Sequence, residues 1–326
     1  FWKNILSHSC SADQNKESPE IMPYKDRLTL LLGANASGDV KLKPLLLFRS
    51  ISTKAMNDLD KDGIPHIWIN NANALITKNI FDDWFCNYFV PFVEDYSKKN
   101  NIENKALLIL DNAPGHCQDL IDLYPHIRIV FFPPKASARL QPMNQGIISV
   151  LKAFYLRETL KHFVHLISKS NEGVSSCWKK YDMQTAKFHI EVAWSRVNQS
   201  LLNKAWEELL PEIVTAKIFE SATVVEKCNE EISDLAKKVG VQATAVNDVT
   251  NFMNQHNTEL IKEKLPQVKP EFSAEELDPL GDTSRDKTET YQANFNSATV
   301  EITSSDDPDV SAFLCTFFLL KCINVL

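Results

Sequence analysis

The sequence predicts an α/β fold: a mixed sheet with flanking helices, followed by a helical region and a disordered acidic tail. Three observations carry that class. Two long apolar runs near the start flank a short turn, as in a hairpin. A later run, ALLIL, has no polar alternation, which suits a strand covered on both faces. Between and after these runs, apolar residues recur at helical spacing. With 326 residues and 44% hydrophobic content, the chain can bury one substantial core and a smaller second unit.

Residues 28–35 (LTLLLGAN) and 40–48 (VKLKPLLLF) are the two strands of the hairpin, with Gly38 as the turn residue. Residues 67–69 are a further short strand. Across residues 77–96, Phe81, Trp84, Phe85, Tyr88, Phe89 and Phe92 fall at the spacing of a buried helix face. ALLIL (residues 106–110) ends at Asp111 and the breakers Pro114 and Gly115, and residues 127–132 form the next strand, stopped by Pro133 and Pro134. Residues 140–160 read as a loop entering a helix whose buried face holds Ile147, Ile148, Leu151, Phe154 and Tyr155.

Beyond that helix the pattern is mostly helical. Trp178, Phe188, Val192, Trp194, Val197, Leu201, Leu202, Trp206 and Leu209 belong to the buried sides of two or three helices. Residues 226–239 and 245–256 are two more, with Gly240 a stop signal between them. The chain therefore divides into a core (1–165), a helical extension (166–265), a disordered acidic linker (266–310) and an atypical apolar tail (311–326). The tail is compositionally foreign to the polar segment before it.

Charge is uneven: residues 1–165 carry +2 and residues 166–326 carry −9, for the total of −7. That excludes a strongly basic coat for nucleic acid but leaves room for a locally basic groove in the first half. Seven scattered cysteines without a CxxC pair fit a reducing compartment better than a disulfide framework or a zinc site. No run of 18 apolar residues occurs, so no membrane span is expected.

In an open α/β sheet, ligand sites sit at the carboxyl ends of the strands. Asp111 stands at such an end, directly after ALLIL. It can cap the turn that follows or ligate a hard cation such as Mg²⁺. In LQPMNQGIISVLKAFYLRETL (residues 140–160), Asn144 falls where an N-cap is favoured. Lys152 and Arg157, further along that helix, either touch phosphate or belong to a solvated face. Adjacent His116 and Cys117 do not by themselves make a metal site.

Several blocks, in order, resemble the DDE endonuclease domain of pogo/Tigger-type transposases and of the Tigger-derived and jerky-like host proteins. They are DRLTLLLGANASGDVKLKPLLLF (26–48), the helix at 84–92, LLILDNAPGH (107–116), IRIVFFPPKASARLQPMNQGIISVLKAFYLR (127–157) and AWSRVNQSLLNKAWEELLP (193–211). The resemblance implies a ribonuclease H-like fold. It further implies three carboxylates holding two divalent metals, Mg²⁺ in the family, for in-line attack on DNA phosphate. Asp111 matches the second acid. The third belongs in a PMDQG segment, where this sequence has Asn144, with 32 residues between the two positions as the family layout requires. The first belongs in an N-x-D-E-T/S-G segment expected upstream of Phe1, and the family's helix-turn-helix modules are likewise expected ahead of this domain.

An amide has the shape of a carboxylate without its charge, so Asn144 cannot offset a second dication. Neither Asp39, in the hairpin turn, nor Asp119 and Asp122, after Asp111, is placed to substitute. The expectation is a degenerate transposase domain: catalytically inactive, with weak non-specific DNA contact, nuclear by resemblance, and with no membrane or small-molecule partner. Two other readings stay open. One is an active metal-dependent endonuclease or strand transferase using Asn144 as a ligand. The other is a protein-interaction module, a possible homo-oligomer, with the helical region as its contact surface.

Overall fold

A computed structural model describes residues 28–48, 67–70, 76–111, 118–121, 123–132, 140–170, 176–177, 180–211, 214, 218–240 and 317–325. Strand β1 (Leu28–Asn35) is buried throughout and forms as its apolar run requires. The turn that follows is closed by Asn35, whose Oδ1 accepts from the Val40 N–H at 3.1 Å and whose Nδ2 donates to Asp39 at 2.7 Å. Gly38 sits in it at φ 74°. Strand β2 (Leu45–Phe48) is only the far half of the second apolar run. Nearer the turn a single bridge, Ala34 to Lys41, holds the hairpin, because Pro44 has no N–H for the ladder.

Strands β3 (Ile67–Asn70), β4 (Ala106–Leu110) and β5 (Ile127–Phe131) lie where the sequence places them. The sixth strand was not foreseen. Phe317–Val325, inside the foreign-looking tail, is strand β6, and the sheet runs β3-β2-β1-β6-β4-β5. β6 is antiparallel to β1 from Leu28↔Val325 to Asn35↔Phe318 and parallel to β4 from Leu107↔Phe317 to Ile109↔Leu319. The β1/β2 pair is antiparallel, while β2/β3 and β4/β5 are parallel. β6 thus joins the antiparallel half of the sheet to the parallel half.

Each face of the sheet has its own core. One is covered by helices α1 (Lys78–Trp84) and α2 (Val90–Asn100), joined by a π-helical turn at Phe85–Phe89. Pro91 cannot donate to the carbonyl four residues back, and the ladder shifts there to a Val90-to-Phe85 bond. Phe81, Trp84, Phe85 and Phe89 are buried as predicted, whereas Tyr88 is exposed. The other face carries α3 (Ile147–Ser170), α4 (Met183–Arg196), α5 (Gln199–Lys204) and α6 (Ile218–Val239).

Helix α3 passes without a break through residues 165 and 166. Asp182 caps α4 by accepting from the Thr185 N–H, and Asn198 caps α5 from Leu201, each at 2.9 Å. Gly240, at φ 77°, ends α6 as its position in the sequence predicts. Phe188 departs from prediction: it is 61% exposed, because Ala186, Ile190, Ala193 and Trp194 form the buried stripe of α4. Trp178, the helix predicted at 245–256 and the linker 266–310 lie outside the described residues.

Hairpin and helices are tied by polar contacts. The Lys41 ammonium donates to the Trp194, Ser195 and Val197 carbonyls at 2.7, 3.1 and 2.7 Å, closing the carboxyl end of α4. Gln199 and Asn203 donate to the carbonyls of Ser37 and Ala36, each at 3.1 Å.

Candidate functional site

Alternation along β4 decides where Asp111 goes. Leu107 and Ile109 pack in the core beneath α3, while Leu108 and Leu110 pack in the core beneath α1 and α2. Asp111, next after Leu110, continues the row on the α3 side. It is half-buried, with Oδ1 shielded from solvent. The Phe132 N–H donates to the Leu110 carbonyl at 2.8 Å and fixes the strand end just before it. Asp111 therefore stands at the carboxyl end of a parallel strand. The turn 112–117, with His116 and Cys117, lies outside the described residues.

Asn144 is not the N-cap that its position suggested. It ends a 3₁₀ turn, Pro142–Asn144, and the α3 helix starts at Ile147. Gly146, at φ 97°, takes the first helical bond, accepting from the Val150 N–H at 2.9 Å. That φ reverses the chain between the turn and the helix, which an N-cap at Asn144 would not allow. The Asn144 N–H donates to the Gln141 carbonyl at 2.9 Å, and its side-chain Nδ2 donates to Gln141 Oε1 at 3.1 Å. The amide is used as a donor, which a carboxylate cannot be. The turn packs against β6.

The described residues alone do not make up a metal centre. Among the described residues, no group of three His, Cys, Asp or Glu side chains converges to hold a metal ion. Asp39 is committed to its own turn. Burial pushes its carboxyl up, but hydrogen bonds from Ser37, Asn35 and Tyr96 outweigh that and hold it below its usual value. Asp119 is exposed and paired with Lys78; Asp122 lies outside the described residues. Of the two positions described, Asp111 offers an anionic oxygen and Asn144 a neutral one.

Lys152 and Arg157 are only 4% and 7% exposed, so neither lies on a solvated face. The Arg157 guanidinium lies over the Phe154 ring at 5.1 Å and pairs with Glu158 at 3.2 Å and with Glu231 of α6 at 3.5 Å. It holds α3 to α6.

Two groupings escape sequence reading because their members come together only in the fold. Lys41, Lys43 and Lys187, with Trp194 and Glu191, line a pocket of about 290 Å³ between the hairpin and α4. Burial lowers the Lys41 pKa to about 8, and its three carbonyl acceptors suit the charged form present at neutral pH. On the other side of α4, Tyr155, Thr159, Tyr181 and His189 form a buried polar chain, with Tyr155 Oη 3.0 Å from Tyr181 Oη and the latter 2.9 Å from His189 Nδ1. No helix among the described residues is long and apolar enough to cross a membrane.

Fold and site together define a mixed α/β domain with a carboxylate at the carboxyl end of a parallel strand and a second polar position on the turn that opens a long helix. The family model described as DDE superfamily endonuclease matches residues 25–206, and the chain belongs to that family. Tigger transposable element-derived protein 7 of Homo sapiens is 29% identical over 249 residues, covering 71% of this chain and 45% of that protein. The Jerky protein homolog of Homo sapiens is 29% identical, covering 59% of this chain and 33% of that protein. The Jerky protein of Mus musculus is 26% identical, covering 67% and 37%. The chain thus spans less than half the length of these relatives, and the Tigger-type, jerky-like resemblance is established. No solved structure matches the chain.

Proposed function

We propose that this chain is a transposase-derived DDE endonuclease domain of ribonuclease H-like fold that no longer cuts DNA and keeps a weak, salt-dependent contact with DNA in the nucleus. The observation that carries the loss of cutting is Asn144. It stands where the family's third acid belongs, and its amide is used as a hydrogen-bond donor to Gln141. Asp111 stands at the carboxyl end of β4, so these two positions offer one anionic oxygen donor and one neutral one. Support for the ribonuclease H-like reading comes from the sheet, antiparallel between β6, β1 and β2 and parallel between β6, β4 and β5.

The DNA contact rests on the relatives' transposable-element origin and on the exposed Lys43 at the pocket between the hairpin and α4. Few lysines and a net charge of −7 make that contact weak and easily screened. The experiment is a supercoiled-plasmid nicking assay in Mg²⁺ and in Mn²⁺, beside a DNA-binding titration across salt. Nicking no faster than in Asp111→Asn, with affinity falling as salt rises, is expected. Nicking that Asp111→Asn abolishes overturns the inactive reading; affinity indifferent to salt overturns the DNA contact.

A further inference from the structure

We infer that the gap between β1 and β4, filled here by β6, is a strand-acceptor site from which the 317–325 segment and an acid-bearing strand exclude one another. With β6 in place, the first acid that the family layout puts ahead of Phe1 cannot stand beside Asp111. The inference rests on the reading of Asp111 given above and deepens it by naming what regulates that site.

The gap has a fixed shape. Without β6 the sheet is two pieces, β3-β2-β1 and β4-β5. An occupant runs antiparallel to β1, from Leu28↔Val325 to Asn35↔Phe318, and parallel to β4. The strands that border it face a core on both sides: Leu32 and Ile109 beneath α3, Leu31 and Leu108 beneath α1 and α2. The occupant must therefore be extended and mainly apolar. FFLLKCINV is such a run, although it comes from the far end of the chain.

The same gap meets the needs of the first acid. Carboxylates that share metals about 3.5–4 Å apart must stand side by side. A strand parallel to β4, about 4.8 Å away, brings its carboxyl end next to Asp111. β4 has two neighbours in the sheet, β5 and β6. β5 runs on into Phe132, Pro133 and Pro134, none of them acidic. In the gap, two steps beyond the Ile109↔Leu319 pair bring backbone position 321 level with Asp111. The Pro142–Asn144 turn packs against β6 as well. A strand here thus borders both positions that match the family's acids. Consecutive strands tend to be neighbours, and β2 already holds the other side of β1, so a strand leading into β1 has this gap to enter.

The two occupants are unequal. A segment just ahead of Phe1 closes a loop of about 30 residues to reach β1, whereas 317–325 closes one of about 280. Loop closure alone favours the shorter connection by roughly thirtyfold. The tail holds the gap when no such strand is offered and yields it when one is.

The test compares the full 326-residue chain with the same chain extended ahead of Phe1 by a strand-length apolar run ending in N-x-D-E-T-G. Hydrogen exchange of residues 317–325 is expected to show protection in the first and at least about tenfold less in the second. In a Leu31→Cys background, oxidation is expected to bridge the new thiol to Cys322, its register partner, in an intramolecular disulfide found by peptide mass mapping. The bridge should form at least about tenfold more slowly in the extended chain. Once closed, it pins β6 in the gap. Mn²⁺ affinity of the extended chain, read by electron paramagnetic resonance, is then expected to be at least about tenfold weaker than with the bridge reduced, and that of the unextended chain to be the same in both states.

Absence of the bridge, or no protection of 317–325 in the unextended chain, overturns β6 as the occupant. Equal protection and equal bridging rates in the two chains, or Mn²⁺ affinity of the extended chain indifferent to the bridge, overturns the exclusion. If Asp111→Asn leaves the Mn²⁺ affinity of the extended, reduced chain unchanged, the reading of Asp111 beneath this inference is what fails.

Discussion

The side-chain amide of Asn144 donates to Gln141 Oε1 across 3.1 Å, closing the Pro142–Asn144 turn ahead of α3. Gln141 is fully buried, so its carbonyl oxygen has little alternative to a protein donor. Asn144→Asp places an acceptor opposite an acceptor. The variant is expected to lose about 1 kcal/mol at pH 7, a fall in Tm of about 2–4 °C. The introduced carboxyl is favoured in its protonated form, which donates as the amide did, so its folded pKa is raised. The deficit should therefore shrink as pH drops below about 4. Thermal melts of both proteins at pH 7 and near pH 3.5 check this, and an unchanged gap between them would remove the Asn144–Gln141 bond from the account.

Arg157 provides a second test, because it is buried where α3 meets α6. Removing it leaves Glu158, whose side chain is 15% exposed, without its closest cation and unstacks Phe154. Arg157→Ala is expected to cost about 1–2 kcal/mol in urea unfolding, from the lost packing on Phe154 and the lost link to Glu231, while Glu158 keeps Arg196 at 3.5 Å and Lys161 at 3.8 Å. The salt dependence of DNA binding, measured on the fraction that stays folded, is expected to be unchanged. A shallower salt slope in the variant would return Arg157 to the phosphate-contacting residues.

These two residues also mark what a single sequence can tell. β1, β4 and the exit at Gly240 were legible because each depends on local facts: an unbroken apolar run, or a glycine with positive φ after a helix. Asp111 was legible for the same reason, as an acid at the end of such a run. Arg157 and Lys152 were not, since burial depends on what α6 and the sheet lay across α3, and a helical spacing of charges is the same on a wet face and a packed one. Phe188 erred in the opposite direction for the same reason. β6 was the least legible element. Its partners lie about 200 residues or more away in sequence, and nothing in an apolar run announces which gap in a sheet it fills.

Gly38 is a site where adding one methyl group is costly. Its φ of 74° disfavours any side chain, and a Cβ there would stand 2.5 Å from the Gln199 carbonyl oxygen and 3.1 Å from Leu202 Cβ. The hairpin turn and the start of α5 are held together here by the Gln199 and Asn203 amides, so neither side can withdraw without breaking them. Gly38→Ala is expected to lose about 2–4 kcal/mol, from backbone strain and the forced separation. Urea midpoints measure it; a loss below about 1 kcal/mol, the cost of the φ alone, would show that the turn and α5 are not in contact.

The buried chain of hydroxyls ending at His189 gives the fold a pH dependence whose sign can be worked out. Burial lowers the His189 pKa to about 4, with the nearby His162 adding to the effect and Glu158 opposing it. The neutral ring accepts from Tyr181 at Nδ1, 2.9 Å away, and an imidazolium cannot. Burial also raises Tyr181 to about 12 and Tyr155 well above its usual value, so both hydroxyls stay neutral and able to donate. In the unfolded chain the imidazole titrates near its ordinary value of about 6.5. Between about 6.5 and 4 the unfolded state therefore binds more protons than the folded one. The stability associated with His189 is complete above about pH 6.5 and is lost as pH falls toward 4. His162, whose pKa burial also lowers, contributes in the same direction. Urea midpoints measured from pH 7 to pH 4.5 should fall in the wild type. In His189→Asn, which keeps an acceptor for Tyr181 but has nothing to protonate, the fall should be less than half as large. Comparing slopes rather than absolute stabilities removes the packing cost of the smaller side chain, and parallel slopes would assign the acid sensitivity to other groups.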